Sequence, residues 1–235
     1  MKVFDGFKQR SKQLERLDTG DYTAAEYAKW QAEMRFINGW LGDARALRLV
    51  LADGVQPDTD KNVSVLDVGA GFGELLKTAR AVIGTNHGLL VGAELNANAA
   101  RAIKDRRDAG PLAAVLCDAL KPPFAENSFD FVISSLFLHH LTDDQAVTLV
   151  GHAARTARKR FVMIDLHRHA AAYYIYKTLG PLFFQRFTVD DGALSIRRSY
   201  KPAELLAIAK AAGVKDAVVH RRAFFRLVLS GSKGG

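Results

Sequence analysis

The first sixty residues carry apolar side chains at spacings of three and four. Tyr27, Trp30, Met34, Ile37 and Leu41 fall on one face, which predicts an amphipathic helix. Gly39 and Gly42 weaken that helix near its end, and Asp43 stands where it can cap a second helix through Leu51. Residues 57–62 read as a loop. From Val63 the pattern changes to short β-prone runs, Val63–Val68, Gly88–Glu94, Leu112–Cys117, Phe129–Ser135 and Arg160–Leu166. Helical stretches separate them: Phe72–Ile83, one capped by Asn96 and reaching Asp108, and one opened by the capping box Thr142-Asp143-Asp144-Gln145 and reaching about Arg158. Four strand–helix alternations in a row predict an α/β fold with a doubly wound, mostly parallel sheet.

The rhythm breaks after Leu166. His169–Phe187 predicts an aromatic-rich helix, and Val189–Tyr200 reads as a polar loop. Pro202 suits the first turn of another helix ending near Gly213. Val218–His220 and Phe224–Ser230 lie too close together for a helical crossover, so they predict an antiparallel hairpin. The expected organisation is a helical cap over residues 1–60 and one domain over 61–230. Within that domain, 169–201 is an insertion on the substrate side, and 231–235 forms a disordered tail.

The densest chemical signal is Val65-Leu66-Asp67-Val68-Gly69-Ala70-Gly71-Phe72-Gly73-Glu74. An apolar strand runs to an acid, and three glycines follow at every second position. Such a turn lets backbone approach a nucleotide-like ligand. A dinucleotide fingerprint needs its third glycine at position 74, where this chain has Glu74. Asp67, two residues before the first glycine, suits an ammonium group better than a pyrophosphate.

This combination resembles the first motif of the class I S-adenosylmethionine-dependent methyltransferases. The terminal hairpin resembles that Rossmann-like, seven-stranded fold as well. The resemblance implies S-adenosylmethionine as cofactor and assigns its site to strand ends. Asp67 would hold the methionine ammonium. Gly69, Ala70, Gly71 and Gly73 would form the turn, and Glu94 would accept from the ribose hydroxyls. Leu95 would lie on the adenine, and Asp118 with Ala119 would meet its amino edge. Ser134 and Ser135 would flank the methyl donor. An acid at a strand end is also a common turn former, so Asp118 keeps that second reading.

Composition limits the rest. The chain has 235 residues, 49% hydrophobic and 25% charged, enough for one sizeable core. The single cysteine, Cys117, permits no internal disulfide and suits a reducing cytoplasm. No apolar run is long enough to span a membrane, and the first dozen residues lack a secretory h-region. The net charge of +8 is scattered among short basic clusters with no aromatic-basic RNA motif, which argues against nucleic acid as partner.

Methyl transfer to a phenol benefits from a base near neutral pH, and histidine is the natural choice. His139 and His140 follow the fourth strand, and His167 follows the fifth. Position favours His167, while His139 and His140 have a structural alternative as caps of the following turn. Arg168, Phe183 and Phe184 are candidate substrate contacts. Metal-dependent catechol methyltransferases place a carboxylate where this chain has Ser134 and Ser135, so no metal is expected. The reading is a methyltransferase acting on a small aromatic or apolar molecule, at oxygen or at carbon, as a monomer or homodimer. It loosely resembles bacterial enzymes associated with polyketide synthases. The alternatives are a nucleic-acid methyltransferase on the same fold and a non-catalytic cofactor-binding protein.

Overall fold

The computed structural model describes residues 6–232 except 41, 57–59, 107 and 109, and only the backbone of 38–40. Leu41 of the predicted helix face, the first half of the predicted 57–62 loop and the tail beyond residue 232 lie outside the described residues.

Seven strands form one sheet: β1 (Val63–Val68), β2 (His87–Glu94), β3 (Ala113–Leu116), β4 (Phe129–Ser135), β5 (Ala157–Leu166), β6 (Val218–Arg222) and β7 (Arg226–Gly231). Their order is β3-β2-β1-β4-β5-β7-β6, parallel except for β7, which runs antiparallel to both β5 and β6. The strand-length runs and the terminal hairpin therefore stand as the residue pattern predicts. The order reverses between β1 and β4, which opens a crevice at their carboxyl ends.

Buried strands alternate their apolar residues between two faces. On one face Leu66, Val132, Phe161 and Leu229 pack under α6 (Asp143–Thr156) and α9 (Pro202–Ala211). On the other, Val65, Phe131, Val162 and Val228 pack under α3 (Asp43–Gly54), α4 (Glu74–Ile83) and α5 (Ala97–Lys104). Asn96 caps α5 by accepting from the Asn98 and Ala99 N–H groups, and Thr142 with Gln145 forms the capping box of α6.

Around the crevice stand α1 (Arg16–Thr19), α2 (Ala24–Trp40), α7 (Ala170–Leu179) and α8 (Arg186–Arg198). α2 is the predicted N-terminal helix. Tyr22, Tyr27, Trp30 and Phe187 stack in series and tie it to α8.

Three local expectations are corrected. The predicted helix His169–Phe187 ends at Leu179, where Gly180 and Pro181 open a 3-10 turn before α8 starts at Arg186. Most of Val189–Tyr200 is the helix α8 and not a polar loop. Its polar residues face protein: the Asp191 carboxylate accepts from the Arg16 and Leu17 N–H groups at 3.0 and 2.9 Å, which seats α1. Asp43 is no cap, because its carboxylate is buried and paired with Arg226 at 2.5 Å; Gly42 occupies the cap position of α3.

Candidate active site

The crevice is a cavity of about 750 Å³. Asp67, Gly69, Ala70 and Gly71 form its floor, with Ser135, Leu136 and His139 beyond β4 and Leu166 and His167 beyond β5. Helices α2 and α7 and the connection from α7 to α8 supply an apolar roof that includes Trp30, Met34, Ile175, Leu179, Phe183 and Phe184.

Gly69, Gly71 and Gly73 all have positive φ, at 69°, 52° and 76°, so the turn needs glycine or a strained substitute. A Cβ on Gly71 would meet no atom within 4 Å, which leaves space above the turn for a ligand. Below it, Asp67 is fully enclosed, and its Oδ1 has no hydrogen-bond partner. Burial, and then the charge of Glu94, push its carboxyl well above the usual range. An orphaned carboxylate in a cavity floor is the complement of a cationic ligand group, and an ammonium satisfies it.

The Glu94 carboxylate accepts from the N–H groups of Gly71 at 2.9 Å, Leu95 at 2.9 Å and Asn96 at 3.0 Å. It braces the glycine turn against the start of α5. Glu94, Leu95, Asp118 and Ala119 sit at the ends of β2 and β3, outside the cavity wall. Asp118 accepts from Leu120 N–H at 2.8 Å, the turn-forming role that its strand-end position allowed.

Ser134 is corrected: its hydroxyl donates to the Val68 carbonyl at 2.7 Å and is buried in the sheet. Adjacent strand residues point to opposite faces, so Ser135 lines the cavity instead, with its Oγ unpartnered. Arg168 is also corrected. It is buried, and its guanidinium donates to the carbonyls of Phe7, Lys8 and Ser199 and to Glu204, all away from the cavity. Phe183 and Phe184 both line the cavity.

The histidines separate clearly. Asp165, near the end of β5, accepts from the His139 backbone N–H at 3.0 Å and meets its Nδ1 at 2.7 Å. Burial alone would raise the Asp165 carboxyl. The charge and hydrogen bond of His139, with the Leu166 and His139 N–H groups, outweigh it and hold the carboxyl below the ordinary range. An ionised partner places the proton on Nδ1 and leaves the Nε2 lone pair free. That Nε2 lies 3.9 Å from Oε1 of Glu15, beyond hydrogen-bond reach.

Both Glu15 and His139 are only 3% exposed, and Glu15 Oε1 has no hydrogen-bond partner. Burial pushes the Glu15 carboxyl up to about 7, partly offset by His140 and Arg198. His140 meets Asp18 through Nδ1 at 2.9 Å. Arg198 donates to the carbonyls of His139 and His140 and pairs with Asp18, so it positions this turn. His167 lines the cavity, but burial, and then the charges of His169, Arg221, Lys201 and Arg168, lower its imidazole to about 4. That makes it a weak base.

Glu15 has no local signature in the sequence, being one acid among many in a charged segment. Asp165 did carry a signal, as the acid closing the fifth strand. Glu15, His139 and His140 each offer a possible ligand atom, all within 4.8 Å of one another. Arg198 Nη1, 3.5 Å from Glu15 Oε1, already provides a cation there. The donor set therefore fits proton handling without a metal.

A family model described as a methyltransferase domain matches residues 65–160. The demethylmenaquinone methyltransferase of Roseiflexus sp. (strain RS-1) is 31% identical over 170 residues, 64% of this chain and 67% of that protein. The chain belongs to the class I S-adenosylmethionine-dependent methyltransferases. Solved structures share the methyltransferase fold at low identity. The plantazolicin methyltransferase, in complex with a triazolic desmethylPZN analog and SAH, is 11% identical with a TM-score of 0.66, covering 88% of this chain and 91% of that one. The magnesium protoporphyrin IX methyltransferase of Synechocystis PCC 6803, with bound SAH, is 16% identical with a TM-score of 0.56, covering 82% and 84%. The methyltransferase takes S-adenosylmethionine as cofactor. Among the described residues, no helix is long and apolar enough to cross a membrane.

Proposed function

We propose that this methyltransferase alkylates a hydroxyl oxygen of a small apolar or aromatic molecule, or an activated carbon that loses a proton in the same way. The observation that carries the reading is the free Nε2 of the His139–Asp165 pair, which opens into an apolar cavity shared with the glycine turn.

When bound, the cofactor supplies a methyl group on a positively charged sulfur. Asp67 holds the ammonium of its methionine part, and the turn at Gly69, Ala70, Gly71 and Gly73 lets it approach the backbone. Glu94 keeps that turn in shape, and Ser135 faces the reaction space. Leu95, Asp118 and Ala119 flank the adenosine side of the site.

The acceptor hydroxyl approaches from the cavity and reaches both His139 Nε2 and Glu15 Oε1, which lie side by side on its wall 3.9 Å apart. His139 takes its proton, and Asp165 stabilises the imidazolium that forms. Glu15 meets the same hydroxyl beside the imidazole. His140 and Arg198 keep the turn in place, while His167 bounds the pocket as a neutral wall. Phe183, Phe184 and the rest of the roof exclude water and align the acceptor, the main requirement for an in-line displacement on an activated donor.

The test is a mass-spectrometric screen of phenols, quinols and polyketide-like acceptors with purified protein and cofactor. The reading expects one added methyl group, and His139→Gln should lower turnover by about 10² to 10⁴ while cofactor affinity holds. Turnover by His139→Gln at the parental rate would overturn the base assignment. An absence of methyl gain on every apolar acceptor would overturn the substrate class.

A further inference from the structure

The mouth of the cavity is apolar and faces solvent. Ile175 and Leu179 lie one turn apart on α7, and with Phe36 on α2 they are at least half exposed. Leu182 and Phe183, in the 3-10 turn that follows α7, are 73% and 72% exposed. The Phe184 ring lies 6.3 Å from Phe36 and 6.3 Å from Phe183, so the two helices present one continuous patch. Phe36, Ile175, Leu179 and Phe183 also line the cavity, and its inner wall therefore continues out to the rim. Single exposed apolar residues are ordinary, whereas a contiguous group marks an interaction surface.

The charges beside this patch are mostly basic. Lys29, Arg35, Lys177 and Arg186 flank it, and the Arg186 side chain is 94% exposed. Two acids stand against these four cations. Glu33 is largely buried, and Asp190 is shared between Lys177 at 2.6 Å and Arg186 at 3.3 Å. Protruding apolar side chains with surplus cations beside them complement the headgroup boundary of an anionic bilayer.

We infer that this rim docks the enzyme on an anionic lipid surface. Leu182, Phe183, Ile175 and Leu179 enter the headgroup–acyl boundary, and Arg186, Arg35 and Lys29 meet the phosphates. The cavity then opens toward the lipid phase. An apolar acceptor, on the function proposed above, enters without crossing water. The docking itself needs neither cofactor nor acceptor, so its failure and the failure of that function are separately visible.

The experiment is co-sedimentation of the intact protein with phosphatidylcholine vesicles, with and without phosphatidylglycerol, and with no cofactor present. The parent should bind the anionic vesicles and be released by raised salt. Leu182→Asp and Arg186→Glu, both outside the cavity wall, should each weaken binding at least about tenfold. Cofactor affinity measured by calorimetry should stay at the parental value. Absence of parental binding to anionic vesicles would overturn the proposal. So would equal binding by the two variants, or a dimer in solution that Leu182→Asp converts to monomer, since a second copy would then cover the patch.

Discussion

Glu15→Gln is the sharpest probe of the polar end of the cavity. Burial raises the Glu15 carboxyl from about 4.5 to about 7, so the folded state favours its neutral form. A group raised in the fold stabilises it fully below the unfolded value, and that contribution disappears as pH rises through the folded value. Each pH unit between the two values corresponds to about 1.36 kcal/mol, which puts the loss near 3 kcal/mol above neutrality. Glutamine keeps the shape and remains neutral throughout. The variant should therefore gain little at about pH 5 and about 2 to 3 kcal/mol at about pH 8.5. For a chain of this size that corresponds to a melting temperature raised by roughly 5 to 10 °C more at the higher pH. Differential scanning calorimetry of parent and variant at both pH values reads it directly. An equal shift at the two pH values would refute the buried, protonatable Glu15 on which the gap to His139 depends.

Asp67→Asn should weaken cofactor binding by at least about tenfold in calorimetry while stabilising the ligand-free protein, because an orphaned buried carboxylate is removed; unchanged affinity contradicts the ammonium assignment. Asp43→Ala should destabilise by about 3 to 5 kcal/mol in urea titration, since it leaves the Arg226 guanidinium unpaired in the interior. His167→Gln should remove part of the stability lost between about pH 6.5 and about pH 4, where the lowered imidazole must be charged on unfolding, and should leave the pH profile of turnover in place; a displaced profile would move the base from His139 to His167. Dialysis against a chelator should leave turnover intact, and a loss restored by a divalent ion would replace acid–base chemistry by metal chemistry at Glu15, His139 and His140.

Local signals carried much of the architecture. The glycine turn, the acids closing β1 and β2, the caps at Asn96 and Thr142, and the terminal hairpin each rest on a few adjacent residues. What local patterns could not show was pairing across the fold. Glu15 lies beside His139 at a sequence separation of 124 residues, and nothing near residue 15 announces it. Arg168 read as a substrate contact and Asp43 as a helix cap because their actual partners, the Phe7 and Ser199 carbonyls and Arg226, are remote in the chain. Helix α8 read as a loop for a related reason: Asp191, Ser195 and Arg198 interrupt the apolar residues of its buried face, since part of it packs on backbone N–H groups and charged side chains of the N-terminal segment. Ser134 and Ser135 differ only in which side of the sheet they face, and one residue of phase decides that.

The buried Arg168 ties the stretch around Phe7 and Lys8 to the turn before α9, and Arg10 reaches the carbonyls of His139 and Leu141. The segment that delivers Glu15 is thus a strap fastened at one end by Arg168, away from the cavity, and at the other by Arg10 beside the His139 turn, while the proposed methyl-donor residues stand on β1 and the glycine turn that follows it. The two halves of the site can diversify separately. New acceptors become accessible by exchanging the strap and roof, with the donor machinery inherited unchanged.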